Sequence, residues 1–268
     1  MTVTDTSIDT FATEWNSWHE GRNTTYGEPL GWLSLTSLHW LVETDSTFAD
    51  LPGAWRADDN GATITGTPAD ELSVDGIPVD GSVTIEPVEG APGLIVKQGS
   101  RLVEVIRRTG DVALRVHDAS APALARFTGI PTFEPRQDWV VDAVFTAYDT
   151  ARTVTTGAVV EGLEHHHNAL GTVSFEYDGA PHELVAFAGK GGGLHILFTD
   201  ATSGVSTYPS SRSLQLSEPA PGGGVVLDFN RASNLPCAFT DYATCPVAPA
   251  ENRLPFAVEA GEKTPEGR

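Results

Sequence analysis

Arg212 is one of only 16 basic side chains in the sequence, and it closely follows Thr207-Tyr208. A guanidinium is a planar, permanently charged fork that binds carboxylate or phosphate through two parallel hydrogen bonds. Further along lie Asp228, Asn230, Asn234, Cys237 and Tyr242, in a stretch too irregular for a regular element. Asn230 and Asn234 offer neutral donors and acceptors, and Tyr242 offers a rim that is both apolar and polar. Together with Tyr208 and Arg212 they define a candidate pocket for a small anionic or polar ligand. The same residues have a second reading, in which Arg212 pairs with Asp228 or Asp200 and locks the loops. Asp228 can equally fix its own loop by accepting backbone N–H bonds.

Two other groups carry potential chemistry. In a strand, His165 and His167 share a face, and with His182 or His195 they have the donor type for Zn²⁺. The run follows Glu161-Gly162-Leu163-Glu164 in loop-like context, so the competing reading is a solvated loop. Cys237 and Cys245 are the only cysteines, and the seven residues between them match no zinc spacing. They read as thiols, either buried or activated by His195 or Arg212, since a nucleophilic cysteine needs a base or a cation to form thiolate; the alternative is a disulfide between them. There is no G-x-S-x-G elbow, no P-loop and no G-x-G-x-x-G after a strand. No metal and no cofactor is assigned.

The elements that must position these residues are mostly short strands. One amphipathic helix opens the chain, with Ile8, Phe11, Ala12, Trp15, Trp18 and His19 on one face, Thr6 or Ser7 as cap, Asp9 in the first turn and Gly21 near the end. From Ala54 onward Asn60-Gly61, Asp75-Gly76 and Asp178-Gly179 separate alternating apolar runs, the dipeptides that hairpin turns favour. In Val112 to His117, Val112, Leu114 and Val116 share one face, and Ala113, Arg115 and His117 the other. The expected fold is all-β, of sandwich or barrel type, with one N-terminal helix. Asp118-Ala119-Ser120-Ala121-Pro122 reads as a linker, dividing the chain into residues 1–122 and 123–268.

The sequence has 268 residues, with 36 acidic against 16 basic side chains and a net charge of −20. That balance opposes non-specific nucleic-acid binding, which works by neutralising phosphates, and opposes an anionic membrane surface. Residues 1–10 have neither the basic nor the apolar region of a secretory signal, so the expected location is cytoplasmic.

The chain resembles the DUF1684 family of bacterial and archaeal proteins of unknown function. The resemblance rests on Gly31-Trp32-Leu33-Ser34-Leu35, Arg126-Phe127-Thr128-Gly129-Ile130, Thr207-Tyr208 with Arg212, and Leu227-Asp228-Phe229-Asn230-Arg231-Ala232. Its most specific part is Pro236-Cys237-Ala238-Phe239 through Cys245-Pro246, Asn252-Arg253-Leu254 and Ala260-Gly261-Glu262. Leu235 stands where the family pattern has Pro, and Ser37 where Gly is usual. The resemblance implies a β-rich protein whose N-terminal half is similar to forkhead-associated (FHA) sandwiches, and it brings no activity or catalytic residues. FHA modules bind phosphothreonine peptides. The segment from Thr44 to Asn60 offers Arg56 and Asn60 but neither a Gly-Arg nor a Ser-x-x-His signature, so this half reads as scaffold. The expected function is a small-molecule-binding protein or enzyme with its site in the C-terminal half; the alternatives are an interaction module and a structural protein without a ligand.

Overall fold

A computed structural model describes the backbone of residues 3–266 and the side chains of residues 10–266. Strands hold 47% of the residues, about twice the usual share, in three antiparallel sheets. No helix among the described residues is long and apolar enough to cross a membrane.

Helix α1 (Val3–Tyr26) starts earlier and ends later than its sequence signals. Thr6 and Ser7 lie inside it instead of capping it; the side chains of Ile8 and Asp9 fall outside the described residues. It runs through Gly21. The expected face is the buried one: Trp15 is 7% exposed, Phe11, Ala12, Trp18 and His19 are half-buried, and the rings of Trp15 and His19 stack at 5.1 Å.

Thr25–Phe127 form one compact unit, and the remainder of the described chain, including α1 as far as Thr24, forms another. The division expected at Pro122 thus differs in its boundary and in where the helix belongs. The Thr25–Phe127 unit contains β1 (Leu35–Trp40), β2 (Ser46–Phe48), β3 (Leu51–Asp58), β4 (Gly61–Gly66), β5 (Leu72–Val74), β6 (Ile77–Pro78), β7 (Gly81–Ile85), β8 (Leu94–Gln98), β9 (Arg101–Arg108) and β10 (Asp111–His117). They pair as β1-β10-β9-β8-β5-β6 and β2-β3-β4-β7. Trp55 and Ile64 of the smaller sheet and Leu72, Val103, Val105 and Leu114 of the larger share one core, which makes the unit a two-layer sandwich. The Asp75-Gly76 turn has φ of +51° and +79°, as a type I′ hairpin needs. At the other predicted turn Asp58 pairs with Gly61, so Asp59-Asn60 make the turn and Gly61 opens β4. A Cβ at Gly61 would lie 2.2 Å from the Ile85 carbonyl oxygen, so only glycine lets β4 and β7 close there. The segment expected as a linker is a turn leading into the short helix α2 (Pro122–Arg126), with proline in its first turn, where a missing N–H costs nothing.

The other unit contains β11 (Val140–Gly157), β12 (Glu164–Tyr177), β13 (Ala180–Ala188), β14 (Leu194–Phe198), β15 (Arg212–Leu216), β16 (Gly224–Asp228) and β17 (Ser233–Asn234). They form one sheet, ordered β16-β11-β12-β13-β14-β15-β17. One core gathers Trp139, Phe175, Ile196, Phe198, Leu227 and Phe229, and a smaller one gathers Ala169, Val185, Phe187 and Leu197. Leu197 alternates with Ile196 and Phe198 along β14, so the two clusters lie on opposite faces of the sheet. Because β12 starts at Glu164, the histidine run lies in a strand and not in a loop. The irregular segments 199–211 and 229–262 pack over this sheet with extensive side-chain pairing, described next.

Candidate functional site

Arg212 opens β15, paired with Phe198 on one side and Asn234 on the other. Its side chain is 1% exposed and faces Asp200, 0% exposed, in a hydrogen-bonded ion pair. It also donates to the carbonyls of Val258, at 3.0 Å, and Ala260, and lies 5.2 Å over the Phe198 ring. Burial pushes its pKa below the ordinary arginine value, and Asp200 opposes that shift. The other oxygen of Asp200 accepts from the backbone N–H and hydroxyl of Thr202. This is the loop-locking arrangement, with Asp200 as the partner.

The neighbouring residues act similarly. Asp228 accepts from the Asn230 backbone N–H at 3.1 Å and from its Nδ2 at 2.9 Å, and its other oxygen lies 3.1 Å from Arg231 Nε. Asn230 is fully buried; it takes both polar groups of the Arg136 backbone, and its carbonyl accepts from Trp15 Nε1 of α1. The Asn234 backbone donates to Glu262 at 2.6 Å and its Nδ2 donates to the Lys263 carbonyl. Glu262, 0% exposed, pairs with Arg22 of α1 at 2.7 Å. Cys237 is buried, and its backbone N–H donates to Cys245 Sγ at 3.4 Å; both cysteines are free thiols. Tyr208 is buried and Tyr242 half-buried. Arg212 and Asn234 are thus register neighbours and Asp228 and Asn230 are linked, but none of the seven nominated residues lines any of the clefts described below. Sequence reasoning missed Arg22 and Glu262 as partners, and Asn252, which donates to Val185 and Leu197 carbonyls and accepts the Val185 N–H. The signal was present for two of these, since Asn252 and Glu262 belong to the motifs quoted above.

The histidines form a row. His165 donates to the Thr244 carbonyl at 2.6 Å, His167 stacks on Phe187 at 4.7 Å, and His195 lies 2.9 Å from Ser213 Oγ. Burial, aided by neighbouring positive charge, pulls His167 and His195 down to about 4. No group of three or more His, Cys, Asp or Glu among the described residues has the geometry to hold a metal ion.

A different set of groups converges in the Thr25–Phe127 unit. The face of β10 opposite the sandwich core carries Arg115 and His117. Arg115, 2% exposed, lies 5.2 Å over the Trp32 ring and donates to Glu104 of β9 at 3.2 Å. Glu104 also accepts the Gly93 N–H at 3.2 Å. A Cβ on Gly93 would sit 2.3 Å from Glu104 Cγ, so this approach requires glycine. Burial alone would raise the Glu104 pKa; His117, Arg115 and the Gly93 N–H outweigh it and hold the carboxyl at about 2. His117 Nδ1 lies 2.9 Å from Ser34 Oγ and 3.3 Å from the Gly31 carbonyl, and its Nε2 lies 3.8 Å from Glu104. These groups sit at a cleft of about 280 Å³, walled by Leu30, Trp32, Ile95 and Leu102. Two further clefts are a broad polar one beside Arg101 and Asp118 and a shallow one on the outer face of β12 and β13.

Glu104→Gln gives a direct check on this electrostatic arrangement. A carboxyl at about 2 when folded, against the ordinary 4.5, stabilises the unit fully above pH 4.5, and that contribution is lost as pH falls towards 2. It amounts to about 3 kcal/mol. Urea unfolding of the wild type therefore shows a drop in stability across that window, and the variant shows a shallower one.

The chain belongs to the DUF1684 family, described as proteins of unknown function, whose model matches residues 125–263. Among solved structures it is similar to an uncharacterized protein of Haloarcula marismortui determined by NMR in solution. Identity is 31%, the match covers 54% of this chain and 80% of that one, and the TM-score is 0.45. No curated protein matches the chain.

Proposed function

We propose that the protein binds a small molecule in the cleft walled by Trp32 and Leu102, in the Thr25–Phe127 unit, and not among the C-terminal loop residues nominated from sequence. One observation carries this reading: apolar walls converge on His117 and on the ionised Glu104 in a single concavity. Ligand sites have this composition, an apolar body with a few placed polar groups. At about 280 Å³ the space is at the small end for such sites. Binding is favoured over nucleophilic catalysis. Ser34 lies near His117, but it is fully buried and gives its proton to the Gly31 carbonyl at 2.6 Å. The phosphopeptide module is not favoured either, because Arg56 faces Asp45 at 3.6 Å and Asp58 at 3.5 Å, the wrong company for receiving a phosphate.

The test is a small-fragment screen by saturation-transfer NMR on the wild type and on Leu102→Trp, which fills the cleft. Mutually competing fragments that bind the wild type and lose binding in the folded variant support the reading. Fragments that bind both equally, or none that bind, overturn it.

A further inference from the structure

We infer that Cys237 and Cys245 are a site of reversible oxidation, at which a small peroxide closes a disulfide across the segment 235–248. The site is independent of the cleft and stands on different residues. The two ends of the segment, Leu235 and Ala248, pack on one cluster of the seven-stranded sheet, made of Ala169, Val185, Phe187 and Leu197. The first limb is turned by its own backbone: the Ala238 N–H donates to the Leu235 carbonyl, and those of Phe239 and Thr240 to Pro236. The second limb is fixed separately, since His165 holds the Thr244 carbonyl and the Val159 N–H holds that of Cys245. Both cysteines therefore sit on anchored backbone, and the Cys237 N–H donates to Cys245 Sγ at 3.4 Å. A sulfur that touches the backbone of the other cysteine brings the two Cβ atoms towards the short separation a disulfide spans. A buried thiol that only fills space needs apolar neighbours and no second thiol. Here the only two cysteines of the chain meet in one place.

Burial decides the reagent and the order of events. Cys237 is 1% exposed and Cys245 8%, so a small neutral oxidant such as hydrogen peroxide meets Cys245 first. The Cys245 thiolate takes one oxygen, the O–O bond breaks, and the released hydroxide takes up the thiol proton as water. The resulting sulfenic acid condenses with a neighbouring thiol. The Cys237 sulfur attacks Cys245 Sγ, the S–S bond forms and the S–O bond breaks. The leaving hydroxide takes the Cys237 proton as a second water. Two thiols lose two electrons and the peroxide gains them. A dithiol reductant reverses the step by thiol–disulfide exchange.

The experiment treats the native full-length protein with hydrogen peroxide, unfolds it in the presence of N-ethylmaleimide and analyses tryptic peptides by mass spectrometry. No Lys or Arg lies between the cysteines, so one peptide carries both. That peptide should come out unalkylated and two hydrogens lighter, and dithiothreitol should return it to a form alkylated at both positions. Dimedone, which traps sulfenic acid, should label Cys245 in Cys237→Ser and leave the wild type unlabelled. Tryptophan fluorescence should be the same before and after oxidation. Should the variant not fold, the wild-type peptide still decides. The proposal is overturned if both cysteines stay alkylated, or if oxygen remains on one sulfur while the other is alkylated. It is overturned equally if the disulfide appears only with loss of the native fluorescence.

Discussion

Arg212→Ala destabilises its unit by about 3–5 kcal/mol, the range for removing one partner of a buried ion pair. The variant leaves Asp200 at 0% exposure with a charge that no cation balances, and it strips donors from the carbonyls of Val258 and Ala260. Guanidinium denaturation monitored by tryptophan fluorescence reads the loss. The double variant Arg212→Met with Asp200→Leu should regain a good part of it, because replacing both charges by apolar groups of similar volume removes the orphaned carboxylate. If Arg212→Ala unfolds within about 1 kcal/mol of the wild type, the lock is not structural, and the residue returns to the list of ligand-binding candidates.

The second large effect is with pH. His167 and His195 are each held at about 4, against the ordinary 6.5, chiefly by burial. The unfolded chain therefore takes up protons at these rings first as pH falls. Their contribution is complete above pH 6.5, declines between 6.5 and 4, and is gone below 4. The deeply buried His195 ring is worth about 3 kcal/mol across that window, and the less enclosed His167 ring, screened by solvent, is worth less. The two sum imperfectly, because His167 contributes to the shift of His195. Denaturation midpoints at pH 7 and pH 4.5 measure the slope, and His195→Gln should remove the larger part of it. An unchanged midpoint between those pH values would contradict the burial of both rings. The windows differ from that of Glu104, so acidification should weaken the histidine-bearing unit before the Thr25–Phe127 unit.

Much of the architecture was legible because its determinants are local. Asp75-Gly76 and Asp178-Gly179 are hairpin turns with both residues at positive φ, which few sequences other than these tolerate. The Trp15 face of α1 and the split of β10 into core and outer faces follow from side-chain periods of 3.6 and 2. The misreadings were also local. His165-His166-His167 looked like loop because its strand partner, β11, supplies the pairing from afar: Thr156 opposite His165 and Val154 opposite His167. The helix cap was misplaced because α1 begins at Val3, ahead of Thr6 and Ser7.

Residue types and spacing determined that this chain is a β protein with one long helix, that it carries an excess of acid, and that Arg212, Asp228, Asn230, Asn234, Asn252 and Glu262 are unusual for a loop-rich stretch. Only the tertiary structure decided what those residues are for. Asp200 was one of two carboxylates the sequence offered Arg212 and the fold chose between them, while Arg22 and Glu262 are 240 positions apart and no period or motif announces that pair. An irregular segment buried on a sheet must satisfy its backbone groups without a ladder, and polar side chains supply those partners. The cleft shows the converse. Trp32, Glu104 and His117 come from three separate places in the sequence and were unremarkable as a set. Their proximity arises because β10 pairs with both β9 and β1, which brings Glu104, His117 and the Trp32 turn before β1 onto one face of the sheet.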